Sequence, residues 1–247
     1  MNVRLGAVGY LNSKPLLDGL GPVALDVPSA LARRFHSGEF DAALLPVFDV
    51  LRRGDARLVD GVSISCRGPA RSVVVASRKP FSELDYIFSD PASISSSALL
   101  AVLLAEFYPD GPSLAAGGRS PGASDARLLI GDPALAFRRQ HGASWFYFDL
   151  GAEWFARTGL PFVFAVWCLG SEADREVADM LRLARARGVV RIREIAAAAE
   201  APEESLAYLT DNIRFGLAHQ EKDAISRFAG LCLSHRLLST PPALNWE

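Results

Sequence analysis

The sequence predicts an α/β protein of two lobes, with two crossings between the lobes and a ligand cleft where they meet. Three observations support this fold class. Apolar runs of strand length alternate with segments of helical period from the start of the chain. A second set of the same kind begins near residue 86, and two extended β-favouring segments join the two sets. The 247 residues, 50% of them hydrophobic, are enough for one large core or two small ones.

The first lobe begins with a strand-helix-strand rhythm. A helix opens at residues 28–29, carries Leu31, Ala32 and Phe35 on one face, and stops at Gly38. Apolar runs flank this helix on both sides, which is the pattern of a βαβ unit. Strands are predicted at residues 4–9, 23–27, 40–45, 58–65 and 72–76.

The second lobe repeats this alternation, and the chain then returns to the first lobe. Its strands are predicted at residues 86–89, 127–130 and 145–148, and its helices at 98–107 and 134–139. After Gly170 the pattern is helical to the end of the chain, apart from breaks near Gly188 and Pro202.

The two crossings define the expected domain boundaries. Residues 71–77 leave the first lobe, and residues 161–169 return to it. We therefore expect residues 1–77 and 166–247 to form the first lobe, and residues 78–165 to form a second lobe inserted between the crossings. Paired crossings of this kind predict a hinge beside the cleft.

Composition narrows the classes of partner. The 26 basic and 28 acidic residues give a net charge of −2, so neither nucleic acid nor a membrane surface is expected as a partner. Cys66, Cys168 and Cys232 have no zinc-site spacing and are expected to be reduced and buried. The sequence begins without a signal-peptide pattern, and its longest apolar stretch, residues 160–169, is too short for a membrane span, so we expect a cytoplasmic protein. The oligomeric state is left open.

The densest run of hydroxyl side chains spans residues 89–97, directly before the helix predicted to open at Ala98. Free backbone N–H groups and the positive end of the helix dipole would meet Ser95 and Ser96 there, which suits a carboxylate or a phosphate. An ordinary helix cap with spare serines has the same sequence pattern. Spacing alone leaves both interpretations open.

A second candidate position follows the first strand. Asn12 lies where that strand ends and the next element begins, a common place for ligands in open α/β sheets, although a capping role is equally simple. The dinucleotide, P-loop, zinc-protease and nucleophile-elbow motifs are all missing. The four histidines are scattered and are interpreted as surface residues: His36, His141, His219 and His235.

Several segments, taken in order, resemble the chorismate dehydratase family of the futalosine route to menaquinone. The match begins with RLGAVGYLNSKPL at residues 4–16 and is most specific over residues 153–167. Further matching segments are residues 27–31, 65–69 through 72–73, 129–135 and 147–151. The resemblance implies a fold like that of type II periplasmic solute-binding proteins, which agrees with the two lobes and crossings inferred from the residues.

The resemblance also implies an activity and a set of site residues. The reaction would convert chorismate to 3-[(1-carboxyvinyl)oxy]benzoate and water, with no metal and no cofactor. Asn12 and Ser72 would be the catalytic contacts, acting as hydrogen-bond donors. The residues implied in substrate binding are Ser95, Ser96, Gly131 and Asp132.

This chain departs from the family pattern in two places, and two other functions are weighed beside the dehydratase. Ser95 and Ser96 stand where the family usually has Thr-Ser, and Asp90 and Pro91 replace small residues. One alternative is a non-catalytic solute-binding protein for a small carboxylate. The other is the sister enzyme that cleaves cyclic dehypoxanthine futalosine, which resembles this chain more weakly and carries a histidine base where Gly131 stands here.

Overall fold

The computed structural model describes residues 3–89, 93–115, 122 and 125–247, and these fold into a seven-stranded sheet, a three-stranded sheet and a two-stranded pair, with helices around them. The two positions that depart from the family pattern upstream of the serine run, Asp90 and Pro91, lie outside the described residues. The strands are β1 (Leu5–Val8), β2 (Val23–Asp26), β3 (Ala42–Pro46), β4 (Asp55–Cys66), β5 (Val73–Ser77), β6 (Tyr86–Ile87), β7 (Ser113–Leu114), β8 (Arg127–Ile130), β9 (Phe146–Asp149), β10 (Phe162–Leu169), β11 (Ile213–Arg214) and β12 (Ala243–Trp246).

The α-helices surround the sheets, and a π-helical turn, Tyr208–Asn212, follows the eighth of them. A short 3₁₀ helix, Leu11–Leu16, comes directly after β1. The α-helices are α1 (Pro28–His36), α2 (Val47–Arg53), α3 (Ile94–Phe107), α4 (Gly131–His141), α5 (Leu150–Thr158), α6 (Arg175–Val190), α7 (Ile192–Ala197), α8 (Pro202–Ala207) and α9 (His219–Ser234).

A mixed sheet forms the first lobe, with its strands in the order β11-β4-β10-β3-β1-β2. The strand β12 pairs with β4 at residues 55–58, on the part of β4 that β11 leaves free. The central strands β3 and β10 are buried along their whole length, apart from a partly buried Phe164. Strands covered on both faces need continuous apolar runs, and this explains why these two segments are so uniformly hydrophobic.

The second lobe contains a smaller antiparallel sheet, β8-β5-β9, with β5 at its centre. Helix α3 lies at the boundary between the lobes, because it packs against α5 of the second lobe and against α2 and α9 of the first. It is therefore apolar on nearly all sides: Leu99, Leu100 and Leu103 are fully buried.

Sheet membership locates the two crossings. The strand β5 pairs within the second sheet, and β10 pairs within the first along its whole length. The chain therefore leaves the first sheet after Cys66 and returns to it at Phe162, and these two residues are paired in register. The predicted crossings, residues 71–77 and 161–169, are for the most part paired strands, so the connections between the sheets are the shorter stretches at residues 67–72 and 159–161.

Three details of the predicted elements were wrong. Helix α3 opens at Ile94 and not at Ala98, which puts the serine run inside its first turn. Helix α6 continues through Gly188, and the break predicted near this residue falls at Arg191, between α6 and α7; Gly188 is instead the position where the backbone of Pro15 leaves no room for a side chain. The C-terminal part is not helical throughout, since β11 and β12 complete the first sheet. The prediction for Cys66, Cys168 and Cys232 is confirmed: all three are buried and unpaired.

Candidate active site

A narrow cleft, with a cavity volume of about 70 Å³, lies between the two lobes and is lined by residues of both. It opens beyond the carboxyl ends of β1 and β3, where ligands bind in open α/β sheets. Val8, Ile64, Ile130 and Phe164 supply apolar walls. The cleft therefore combines apolar walls with the polar groups described next, which is the usual composition of a ligand site.

The cleft brings together Asn12 from the first lobe and Ser72 from the first connection between the sheets. Their side chains meet at the hydroxyl of Tyr208: Asn12 Nδ2 donates to it at 3.1 Å, and Ser72 Oγ lies 2.8 Å from it. Burial raises the pKa of Tyr208, and its hydrogen bonds with Ser72 and Asn12 act in the opposite direction. The phenol is therefore neutral and can donate its proton at physiological pH.

Helix α3 points its first turn at the same cleft. Ser93 occupies the N-cap position without a side-chain cap, and the first backbone bond of the helix runs from Ser97 N to Ser93 O. Backbone N–H groups before Ser97 thus have no intrahelical acceptor, and the helix dipole favours negative charge at this end. Both predicted serines line the cleft, but Ser95 Oγ also accepts a hydrogen bond from Phe48 N at 3.1 Å. Ser96 Oγ has no such contact among the described residues.

Gly131 and Asp132 join the second lobe to the first beside the cleft. Gly131 has a φ of +62°, and a Cβ there would lie 2.7 Å from the Tyr10 ring, so this close approach requires glycine. The Asp132 carboxylate accepts from Leu11 N at 2.9 and 3.1 Å. Burial raises the pKa of Asp132, while the Leu11 N–H lowers it. Asp132 therefore clamps the loop that carries Asn12, and its carboxylate is held by that loop and does not project into the cleft.

Acid-base side chains lie elsewhere in the described structure. None of the four histidines is among the described residues that line the cleft. His36 contacts the buried Asp49 at 2.6 Å, and His235 contacts Glu106 at 2.8 Å. Within the described ranges, no group of three or more His, Cys, Asp or Glu residues converges as metal ligands would. No helix in the part of the chain that the structure describes is both long and apolar enough to cross a membrane.

The sequence pattern pointed to Asn12 and the serine run, the family resemblance implied Ser72, and the structure brings all of them to one cleft. It did not point to Tyr208, which reaches the site from far along the chain. No local motif marks this residue, since a tyrosine beside a leucine is ordinary core sequence. A signal could have come only from the contacts of the folded chain.

Comparison with known proteins assigns the family. The model of the family described as menaquinone biosynthesis matches residues 3–233 of this chain. The chain belongs to that family. Two curated relatives are named chorismate dehydratase. The relative from Thermus thermophilus is 32% identical over 219 residues, covering 78% of this chain and 80% of its own, and the relative from Campylobacter jejuni is 29% identical over 159 residues, covering 63% and 58%.

Solved structures agree on the fold of this menaquinone-biosynthesis family member. Protein AF1704 from Archaeoglobus fulgidus superposes with a TM-score of 0.70 at 14% identity, covering 96% of this chain and 98% of its own. The alkanesulfonate-binding protein SsuA from Xanthomonas axonopodis superposes with a TM-score of 0.58 at 15% identity, covering 99% and 98%. Both likenesses concern the fold alone, and they confirm the predicted two-lobed architecture of periplasmic-binding-protein type.

Proposed function

We propose that this chain is a carbon-oxygen lyase that dehydrates chorismate to 3-[(1-carboxyvinyl)oxy]benzoate, the first step of the futalosine route to menaquinone. The observation that carries the proposal is the 32% identity to the chorismate dehydratase of Thermus thermophilus, spread over 219 residues and 78% of this chain. The cleft supports it with hydroxyl and amide groups from both lobes and a helix N-terminus suited to a carboxylate.

The reaction needs little acid-base chemistry from the protein. Removal of the proton on C3 gives a dienolate whose charge extends to the ring carboxylate. The bond between C4 and its hydroxyl oxygen then breaks, the ring becomes aromatic, and the hydroxide takes up a proton and leaves as water. The N–H groups at the start of α3, together with Ser96, would hold the ring carboxylate while this charge develops.

We assign the base to the substrate itself. The described residues that line the cleft include no carboxylate, histidine or lysine, whereas the enolpyruvyl carboxylate of chorismate lies close to C3 within the same molecule. The protein would then position the substrate and exclude water as the lobes close. Asn12 and Ser72 would contact the substrate directly, Ser95 would support the turn that binds it, and Gly131 and Asp132 would fix the lobe contact.

Incubation with each candidate substrate separates this function from its two alternatives. Incubation of the purified protein with chorismate should change the ultraviolet absorbance and yield the aromatic enol ether and water, identified by mass spectrometry. A non-catalytic binding protein would retain chorismate unchanged, and the sister activity would consume cyclic dehypoxanthine futalosine instead. Asn12→Ala and Ser72→Ala should each slow chorismate turnover while melting within a few degrees of wild type. We propose a cytoplasmic location for this member of the menaquinone-biosynthesis family.

A further inference from the structure

Tyr208 lies behind the cleft wall and is 1% exposed. Its hydroxyl contacts the side chains of Asn12 and Ser72, the two polar residues that line the cleft in front of it. We propose that Tyr208 is a positioning residue that aligns the hydrogen bonds of these two side chains, so that together they offer the substrate one donor and one acceptor. This inference rests on the proposed function for its consequences in catalysis. The chain of hydrogen bonds Asn12–Tyr208–Ser72, called the relay below, rests on contacts within the protein.

Counting protons shows why the two neighbours depend on each other. A tyrosine hydroxyl has one proton, and here it lies within hydrogen-bond distance of two polar groups. If it accepted from both Asn12 and Ser72, its own buried proton would have no partner, which is costly. The satisfied arrangement accepts from one neighbour and donates to the other. The direction of one hydrogen bond therefore sets the direction of the second.

The atoms of Asn12 show which direction the structure holds. Nδ2 donates to Tyr208, and the buried Oδ1 has no partner among the described residues. Tyr208 then donates to Ser72 Oγ, which leaves the Ser72 proton free for a ligand. In this state Asn12 offers an acceptor and Ser72 offers a donor. A flip of the Asn12 amide would reverse all three roles together, and the pair would still offer one donor and one acceptor.

One donor beside one acceptor complements an alcohol, because a hydroxyl group both donates and accepts. A carboxylate only accepts, and it would leave the Asn12 oxygen unpaired. The carboxylate donors lie on the other wall, at the first turn of α3. The Asn12 and Ser72 pair is therefore matched to the hydroxyl that dehydration removes, and Tyr208 maintains that match.

The local fold holds Tyr208 firmly. It begins the π-helical turn Tyr208–Asn212, a rare element that recurs at functional sites. Asn212 ties the other end of this turn to the loop before Ser72 by donating to Pro69 O at 2.9 Å. The C-terminal part of the first lobe thus contacts the polar residues of the cleft through the buried hydroxyl of Tyr208.

Tyr208→Phe tests the proposal, because it removes the hydroxyl and keeps the ring. We expect kcat for chorismate to fall about tenfold, the effect of losing roughly one buried hydrogen bond, while KM changes less than threefold. The side-chain amide signals of Asn12, assigned by NMR with Asn12→Ala, should shift in the same variant. Tyr147→Phe is the matched control, since its hydroxyl is also buried but has no partner among the described residues and lies on β9. It should leave both measurements unchanged.

A second variant reaches the relay from its other end. In Ser72→Ala the Tyr208 proton has only Asn12 as a partner, so the Asn12 amide signals should shift although Tyr208 is intact. Ser96→Ala, in the same cleft but without a contact to Tyr208, should leave these signals in place. Unshifted Asn12 signals in both Tyr208→Phe and Ser72→Ala would overturn the relay. Failure of the wild-type protein to convert chorismate would overturn the proposed function instead, and the NMR result would still decide the relay.

Discussion

Ser96→Asp separates a carboxylate site from an ordinary helix cap. Ser96 is 6% exposed, lies in the first turn of α3 and lines the cleft. As a capping change the substitution is favourable, because a negative charge near a helix N-terminus contributes about 0.3–1 kcal/mol. As a change in a carboxylate site it places a fixed charge beside the bound anion. Two like charges about 4 Å apart repel by about 4 kcal/mol at an effective dielectric constant of about 20, which weakens binding roughly a thousandfold.

Calorimetric titration with chorismate, together with a melting curve, measures both quantities in one protein. We expect an unchanged or higher Tm and a large loss of affinity. Ser97→Asp is the matched control, since it adds the same charge to the same turn at a side chain that contacts Ser89 and is not among the described cleft residues. It should bind chorismate nearly as wild type does. Normal affinity in Ser96→Asp would refute the carboxylate site and leave the serine run as a cap.

Three further predictions concern the contact between the lobes. Gly38→Ala should lose about 1–2 kcal/mol of stability, because its φ is left-handed and a Cβ there meets no other atom. Gly131→Ala should lose more and should also raise KM, since its φ is left-handed as well and its Cβ would collide with Tyr10. Equal stability losses and equal KM values would show that the Tyr10 contact is dispensable. Burial raises the pKa of Asp132, so its contribution to the free energy of unfolding is full below an ordinary pKa of 3.8 and is lost as the pH rises through the higher folded value. In urea titrations from pH 3.5 to 7, wild type should therefore lose stability relative to Asp132→Asn, and a constant difference would contradict this. X-ray scattering should show compaction with the enol-ether product, and an unchanged radius of gyration at saturation would count against closure.

Local patterns predicted most of the longer strands, because each of these is marked by its own apolar run. The α2 and α5 helices were not predicted: α2 follows directly from the buried strand β3, so its apolar residues continue the strand's run without a visible break. The short strands β11 and β12 were missed for a different reason. Each is defined by pairing with the distant β4, and neither has a period of its own.

The residues of the site divide in the same way, into those that a local sequence pattern marks and those that only the folded chain brings together. Asn12 and the serine run could be found from the sequence, because the end of a strand and the start of a helix are local features with known chemistry. Tyr208 could not, since its role depends on the packing of a C-terminal turn against the first crossing. The different roles of Ser95 and Ser96 were equally hidden, because only the folded chain brings Phe48 N to the Ser95 hydroxyl, while the Ser96 hydroxyl has no hydrogen bond among the described residues.

The pairing of Cys66 with Phe162 bears on how the chain folds. These residues are the last and first partners of β4 and β10 across the whole inserted lobe, so their pairing closes a loop that contains that lobe. The entropy cost of closure rises with the number of flexible residues in the loop, and it falls when the loop has already condensed. A second lobe that forms its own sheet around β5 brings its two ends close together before the large sheet is complete. The order of folding is thereby biased, with the inserted lobe forming early and the centre of the first sheet joining late.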